Sequence, residues 1–159
     1  EVVSMAFRVP PETIRLDVVP CRVLARRIDL DMIFRNLIEN AVKYAGPSPE
    51  VLVSAQRDRG WVVVRVSDNG RGIAPDLRRK IFGRFVRLGS ELERDKPGTG
   101  LGLYIVRNLV KRCRGTVRAT GQAHGPGAVF EVRLRAEPGT EENQGAESAS
   151  EKVANDGQR

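Results

Sequence analysis

The sequence predicts a two-layer α+β sandwich with helices on one face of a mixed or antiparallel sheet. Three observations lead there. Residues 51–57 and 61–66 alternate apolar and polar side chains with the period of a strand. Residues 29–45 repeat apolar positions at helical spacing. Along the chain, strands, a helix, strands, a long loop, a second helix and two further strands follow one another.

Taken in order, residues 13–18 and 22–25 read as short strands separated by Pro20. Asp29 supplies an N-cap for a helix running to about Ala45, where Gly46 and Pro47 end it. The strands at 51–57 and 61–66 flank a charged turn, Asp58-Arg59-Gly60. Residues 70–98 hold glycines, prolines and many charges, and read as a long loop with a short helical stretch near 76–82. A second helix fits 101–114, and strands near 115–120 and 129–135 close the domain around a Gly-rich turn.

Composition bounds what this domain can do. With 159 residues and 40% hydrophobic content there is room for one core and a tail. The domain is expected to span residues 1–136, and residues 137–159 to form a disordered acidic tail whose one sizeable apolar residue is Val153. The net charge of +7 is split: the tail carries six acidic and two basic residues, leaving 25 basic and 14 acidic residues before it. Such a basic domain suits a polyanionic partner, either a nucleic acid or a nucleoside triphosphate. No run approaches the roughly 18 apolar residues of a membrane helix, and the start has neither Met nor a secretory h-region. The chain is therefore expected to be a piece of a longer, cytoplasmic-facing protein, whose parent could still be anchored in the inner membrane. Cys21 and Cys113 show no metal spacing and read as reduced thiols.

Four segments carry candidate chemistry. In the first helix, Asn36, Asn40 and Lys43 share one stripe, spaced by four and then three residues. Asn costs up to ~0.7 kcal/mol relative to Ala inside a helix, so two of them one turn apart do little for the helix itself. An amide oxygen is a good hard ligand for Mg²⁺, and an ammonium suits phosphate. A solvated helix face fits the same stripe. Next, Asp68 ends a strand and opens Asp68-Asn69-Gly70-Arg71-Gly72-Ile73. A carboxylate there can accept a hydrogen bond from adenine N6, where guanine would present a repelling carbonyl oxygen. Gly70 and Gly72 let the backbone approach a flat base, although an Asx-capped turn explains the same residues.

The third segment, Gly98-Thr99-Gly100-Leu101-Gly102-Leu103, places free backbone amides at a helix N-terminus, which suits a phosphate. It is not GxxxxGK[ST], and no βαβ context or partner acid makes it a dinucleotide fingerprint. Neither HRD nor DFG occurs, which removes the eukaryotic-type protein kinase. The fourth, residues 80–88, interleaves Phe82 and Phe85 with Arg84 and Arg87 inside the long loop. The aromatics could anchor a lid, and an arginine could then reach a γ-phosphate. An amphipathic surface turn is the plain alternative.

In this order and spacing, the four segments resemble the N, G1, F and G2 boxes of bacterial sensor histidine kinases, over roughly residues 12–136. That family is part of the wider ATPase group that includes DNA gyrase, Hsp90 and MutL. The resemblance implies a Bergerat α/β sandwich, its sheet mixed and mostly antiparallel, with an ATP lid at about 73–98. It implies ATP and Mg²⁺ as ligands, with Asn40 on the metal and Asn36, Lys43 and Tyr44 beside the phosphates and nucleotide. Asp68 matches the adenine-reading acid, with Gly70, Gly72 and Ile73 at the base. Phe85 and Arg87 match the lid, and Gly98, Thr99, Gly100, Leu101, Gly102 and Leu103 the phosphate loop. Asn40, Lys43 and Arg87 would be the catalytic set. Gly83 stands where a Glu is common and Val86 where a Tyr is common, so altered lid packing is expected.

Hydrolytic members of the wider group are similar in placing a Glu general base four residues before the metal-binding Asn. Here that position is Asn36, which cannot take a proton, and Glu39 points about 60° off its stripe. The resemblance therefore implies phosphoryl transfer to a histidine. The one histidine, His124, lies between glycines and a proline and reads as a turn residue, so the acceptor is expected on a dimerisation domain outside this sequence. Partners implied are that domain and a response-regulator receiver domain, with a homodimeric parent and a monomeric fragment. A nucleotide sensor without transfer is the alternative from another class. A nucleic-acid binder would need exposed aromatics among its basic residues, whereas Trp61, Phe34 and Phe130 read as core-facing.

Overall fold

The computed structural model describes residues 9–86, 99–122 and 126–138. Five strands, β1 (Ile14–Val18), β2 (Val51–Asp58), β3 (Trp61–Asp68), β4 (Thr116–Gly121) and β5 (Ala128–Arg135), form one sheet in the order β1-β2-β3-β5-β4. β1 runs parallel to β2, and every other neighbouring pair is antiparallel. Two helices, α1 (Arg27–Tyr44) and α2 (Gly102–Arg112), cover one face. They run antiparallel, because Asn36 of α1 meets Gly102 at the start of α2 while Asp29 meets Arg112 at its end. The two-layer mixed sandwich predicted from the sequence is the architecture observed.

Alternation explains the core. Val62, Val64 and Val66 of β3 pair with Leu134, Val132 and Phe130 of β5 and turn toward the helices. Ile33, Leu37 and Ala41 of α1, with Val106 and Val110 of α2, are 0% exposed against them. Burying each Val, Leu or Ile among them contributes about 1.5–3 kcal/mol. The β2–β3 hairpin closes on Arg59 and Gly60, both with positive φ (45° and 79°), as a two-residue turn between Asp58 and Trp61 demands. Gly46, at φ 93°, ends α1 as expected.

The opposite face of the sheet is polar. Glu131 is 5% exposed and held between Arg65 and Arg118, whose guanidinium nitrogens donate to its two oxygens at 2.9 and 3.0 Å. Trp61 belongs to this face, contrary to its reading as a core residue. It opens β3 with the odd-numbered parity that points away from the helices, and the guanidinium groups of Arg135 and Arg133 cover its ring at 4.1 and 5.8 Å. Phe130 is in the core and Phe34 packs against it.

Three further sequence expectations change. Asp29 does not cap α1, which begins at Arg27 behind Arg26 with no side-chain cap. Instead Asp29 is buried and paired with Arg26 and Arg112, whose attraction, the Arg26 hydrogen bond first, outweighs the desolvation that opposes it and lowers its pKa. Residues 22–25 form no strand: only Val23 makes a single bridge, to Ala136. The helical stretch near 76–82 is a run of turns leading into one 3-10 turn, Lys80–Phe82. Cys21 and Cys113 are free. The expected disordered tail lies almost wholly outside the described residues, as does His124.

Candidate nucleotide cleft

Three chain segments converge at the C-terminal ends of α1 and β3. α1 contributes its polar stripe, β3 delivers Asp68, and the backbone before α2 approaches from the other side. One cavity is lined together by Asn36, Asn40, Lys43, Tyr44, Asp68, Gly72, Ile73, Thr99, Gly100, Gly102 and Leu103. These residues stretch across 68 sequence positions, from 36 to 103, and were read as one site.

Asp68 is the most constrained member. It is 3% exposed. Among the described residues, both hydrogen bonds to its carboxylate fall on Oδ1, from the backbone amides of Gly70 at 2.9 Å and Ala128 at 3.3 Å. Oδ2 accepts no hydrogen bond among the described residues, and Asp68 lines the cavity. Burial raises the Asp68 pKa above the ordinary 3.8, and those two amide donors partly offset the rise. Around it Ile73, Ile81, Leu103, Ala128 and Phe130 make an apolar wall. A flat base with one exocyclic amine fits such a pocket: ring against aliphatic carbon, amine against carboxylate oxygen.

The other end of the cleft is built from amides. Asn36 Nδ2 donates to the Met32 carbonyl at 2.8 Å, which leaves its Oδ1 facing Gly102, 2.7 Å from where a Cβ would stand. Asn40 follows one turn later, and Lys43 lies with its Nζ 5.0 Å from the Tyr44 ring centroid. Among the described residues no three His, Cys, Asp or Glu side chains come together to hold a metal. A divalent cation here would rest on amide oxygen and on the phosphates of its own ligand, a donor set that suits Mg²⁺. Gly100 has φ 70°, and a Cβ there would come within about 3.1 Å of the Phe85 and Val86 backbone. Glycine is required at this turn.

Not every expected residue reaches the cavity. Gly70 lies beneath it, packed on the Tyr44 carbonyl, and Leu101 caps α2 without lining it. Phe85 is 71% exposed and is not among the lining residues. Phe82 is the aromatic that anchors this segment, edge-on to Phe130 at 6.3 Å between centroids. Arg84 adds a second tie, over the Tyr104 ring at 4.8 Å. Arg87 and Gly98 lie outside the described residues. Gly83 and Val86, the two departures in the lid motif, face each other: a Cβ on Gly83 would meet Val86 Cγ2 at 2.9 Å.

Sequence reasoning missed Glu39, Arg71, Ile81, Val86, Ala128 and Phe130 as lining residues. Glu39 was set aside for its 60° offset, but the cavity embraces a wide arc of α1. Arg71 stood within the Asp68 segment and went unread. Ala128 and Phe130 reach the site only because β5 pairs with β3, which nothing local announces.

Comparison with known proteins gives the family and agrees with the fold. A family model described as histidine kinase-, DNA gyrase B-, and HSP90-like ATPase matches residues 25–138. The sensor protein SrrB of Staphylococcus aureus is 30% identical over 105 residues, which are 66% of this chain and 18% of that protein. The chain thus spans under a fifth of the length of that relative. Among solved structures, the mycobacterial sensor histidine kinase MprB superposes with a TM-score of 0.70 at 29% identity, covering 87% of this chain and 92% of that one. Full-length ShkA, in complex with AMPPNP, gives 0.67 at 32% identity, covering 85% of this chain and 28% of its own. The ATP binding domain of PrrB from Mycobacterium tuberculosis gives 0.62 at 27%, covering 85% and 88%. With a family model covering most of its length, this chain belongs to the histidine kinase-, DNA gyrase B- and HSP90-like ATPases, among relatives that are sensor histidine kinases.

Proposed function

We propose that this chain is the catalytic domain of a two-component sensor histidine kinase that passes the γ-phosphoryl group of ATP to a histidine on a separate dimerisation domain. One observation carries the reading: a buried carboxylate with one oxygen held by backbone amides lines the same cleft as Asn40, Lys43, Thr99, Gly100 and Gly102. A nucleoside triphosphate has a matching polarity, with a hydrogen-bond donor at the adenine and negative charge at the far end.

In this reading Asp68 accepts from adenine N6, and Gly72 and Ile73 lie along the base. Asn40, with Asn36 beside it, presents amide oxygen to Mg²⁺. When bound, that ion neutralises charge on the triphosphate and on the phosphoryl group in transfer. Lys43 and Tyr44 flank the phosphates, and Thr99, Gly100 and Gly102 donate backbone amides at the start of α2. Arg87 is the lid cation that would meet the γ-phosphate. Asn36 cannot act as a base, which favours an attacking group that arrives as a good nucleophile, as an imidazole does.

The domain would occupy residues 1–136 with its lid at about 73–98, and the acidic residues 137–159 would be an appendage. The parent would be a homodimer with a cytoplasmic catalytic domain and a response-regulator partner. Among the described residues no helix is long and apolar enough to cross a membrane.

Calorimetric titration of ATP against wild type and Asp68→Asn tests the base-reading step. Losing one charge-assisted hydrogen bond lowers affinity by at least about tenfold. Unchanged affinity removes Asp68 from its role. Supplying the helical dimerisation domain in trans then separates a kinase from a nucleotide sensor: phosphohistidine forms in the first case and not in the second.

A further inference from the structure

We propose that Gln122 is a positioning residue for Asp68, fixing the carboxylate that selects the base although it does not line the nucleotide cleft. This deepens the reading of the cleft as a purine site and rests on it.

Gln122 follows the last residue of β4, Gly121, two strands away from β3 in the sheet. Its side chain crosses the start of β5, and its Nε2 donates to the backbone carbonyl of Asp68 at 2.6 Å. The partner is a carbonyl oxygen, so only the amide nitrogen can make this bond. The crossing point is Gly127, where φ is 128° and a Cβ would stand 2.0 Å from the Asp68 carbonyl oxygen and 2.8 Å from Gln122 Nε2. Only a residue without a side chain lets the bond pass. From the next residue, the Ala128 amide donates to Asp68 Oδ1 at 3.3 Å.

Asp68 is therefore gripped twice from the strands beyond it. The Ala128 amide holds its side chain and Gln122 holds its main chain. Asp68 is the last residue of β3, and the β3–β5 ladder stops one pair earlier, at Ser67 and Val129. Past that point the sheet no longer fixes the Asp68 peptide plane toward β5. The same peptide is held on the β2 side by the Asn69 amide, which donates to the Glu50 carbonyl at 3.2 Å. The Gln122 amide holds it on the β5 side, where the ladder has ended, and together they fix the Cα from which the Asp68 carboxylate projects. A glutamine this far along the chain thus acts on specificity through the backbone.

The test uses the intact chain and two nucleotides, ATP and the purine riboside triphosphate that lacks the exocyclic amine. Affinities are measured by calorimetry for wild type, Gln122→Ala, Gln122→Glu, Asp68→Asn and the Gln122→Ala/Asp68→Asn double variant. Gln122→Ala is expected to weaken ATP about fivefold and the amine-free analogue less than about twofold, and to add nothing in the Asp68→Asn background. Gln122→Glu keeps the size but sets oxygen against oxygen, and is expected to lose at least as much. Equal losses for both nucleotides, additive losses in the double variant, or wild-type behaviour of Gln122→Glu would each overturn the proposal while leaving the cleft reading intact. An Asp68→Asn variant that binds both nucleotides like wild type would overturn both.

Discussion

The two ends of the cleft are built from different materials. At the base end, backbone packs on backbone: a Cβ on Gly70 would lie 2.2 Å from the Tyr44 carbonyl oxygen, and one on Gly127 would lie 2.0 Å from that of Asp68. At the start of α2, the nearest obstacle to a Cβ on Gly102 is the tip of the Asn36 side chain, at 2.7 Å, with the next atom of that residue 3.7 Å away. The first end cannot yield without moving α1 against β3, whereas the second can yield by turning an amide. Recognition of a base needs a fixed acceptor, because discrimination comes from an unpaired or repelling group that cannot relax. Holding a flexible triphosphate needs donors that can follow it.

The comparison is broken most severely by Gly70→Ala. The added methyl collides with the last carbonyl of α1 and comes within 2.9 Å of Asp68 Oδ1. Overpacking against backbone costs about 3 kcal/mol, and denaturant unfolding should register it together with loss of measurable ATP binding. A variant as stable as wild type would mean that the base end relaxes as readily as the other.

Protons sharpen the same contrast. The Asp68 pKa is raised by burial above 3.8. The unliganded native state therefore takes up its proton at a higher pH than the unfolded chain does. The stability cost of the buried charge is absent below the unfolded value, grows as pH rises through the window up to the raised value, and is complete above it. Acidification through that window should stabilise wild type relative to Asp68→Asn. Protonation also removes the acceptor, so ATP affinity should fall as pH drops below the raised value. The ratio of wild-type to Asp68→Asn affinity isolates the effect, because titration of the nucleotide's own phosphates cancels. A ratio flat with pH would place the selecting group elsewhere.

How far the molecule could be read in advance follows the same line between local and distant causes. The Asn36–Asn40–Lys43 stripe and the Asp58-Arg59-Gly60 turn are set by neighbours within a few residues, and both were legible. The alternation of β3 was equally legible, yet its bulk suggested a buried Trp61, and only the parity of its pairing with Arg135 places the ring on the outer face. Asp29 looked like a cap because Asp before a helical pattern usually is one. Of its two partners, Arg26 stands three residues before it, while Arg112 lies 83 positions away and could not be seen. Ala128 and Gln122 were invisible for that reason also: an alanine and a glutamine carry no signature, and their importance comes from strands that meet Asp68 only in the fold.

Gly102→Ala is the mildest substitution and the one that probes the phosphate end. Replacing Gly in the first turn of α2 by Ala favours the helix by up to about 1 kcal/mol, through propensity and a less flexible unfolded chain. Against this stands the contact with Asn36 Oδ1, which rotation of the amide relieves at the expense of its 2.8 Å bond to the Met32 carbonyl. The two effects nearly cancel, so the melting transition should move by no more than a few degrees. Affinity for ATP should fall about threefold, because the displaced Asn36 amide and the new methyl both occupy space near the α2 amides, a loss of roughly 0.7 kcal/mol. The amine-free nucleotide should lose the same factor, since nothing at the base end has changed. If instead the loss exceeds that of Asp68→Asn, or depends on the exocyclic amine, the two ends are mechanically one unit and the division between a fixed reader and a yielding grip is wrong.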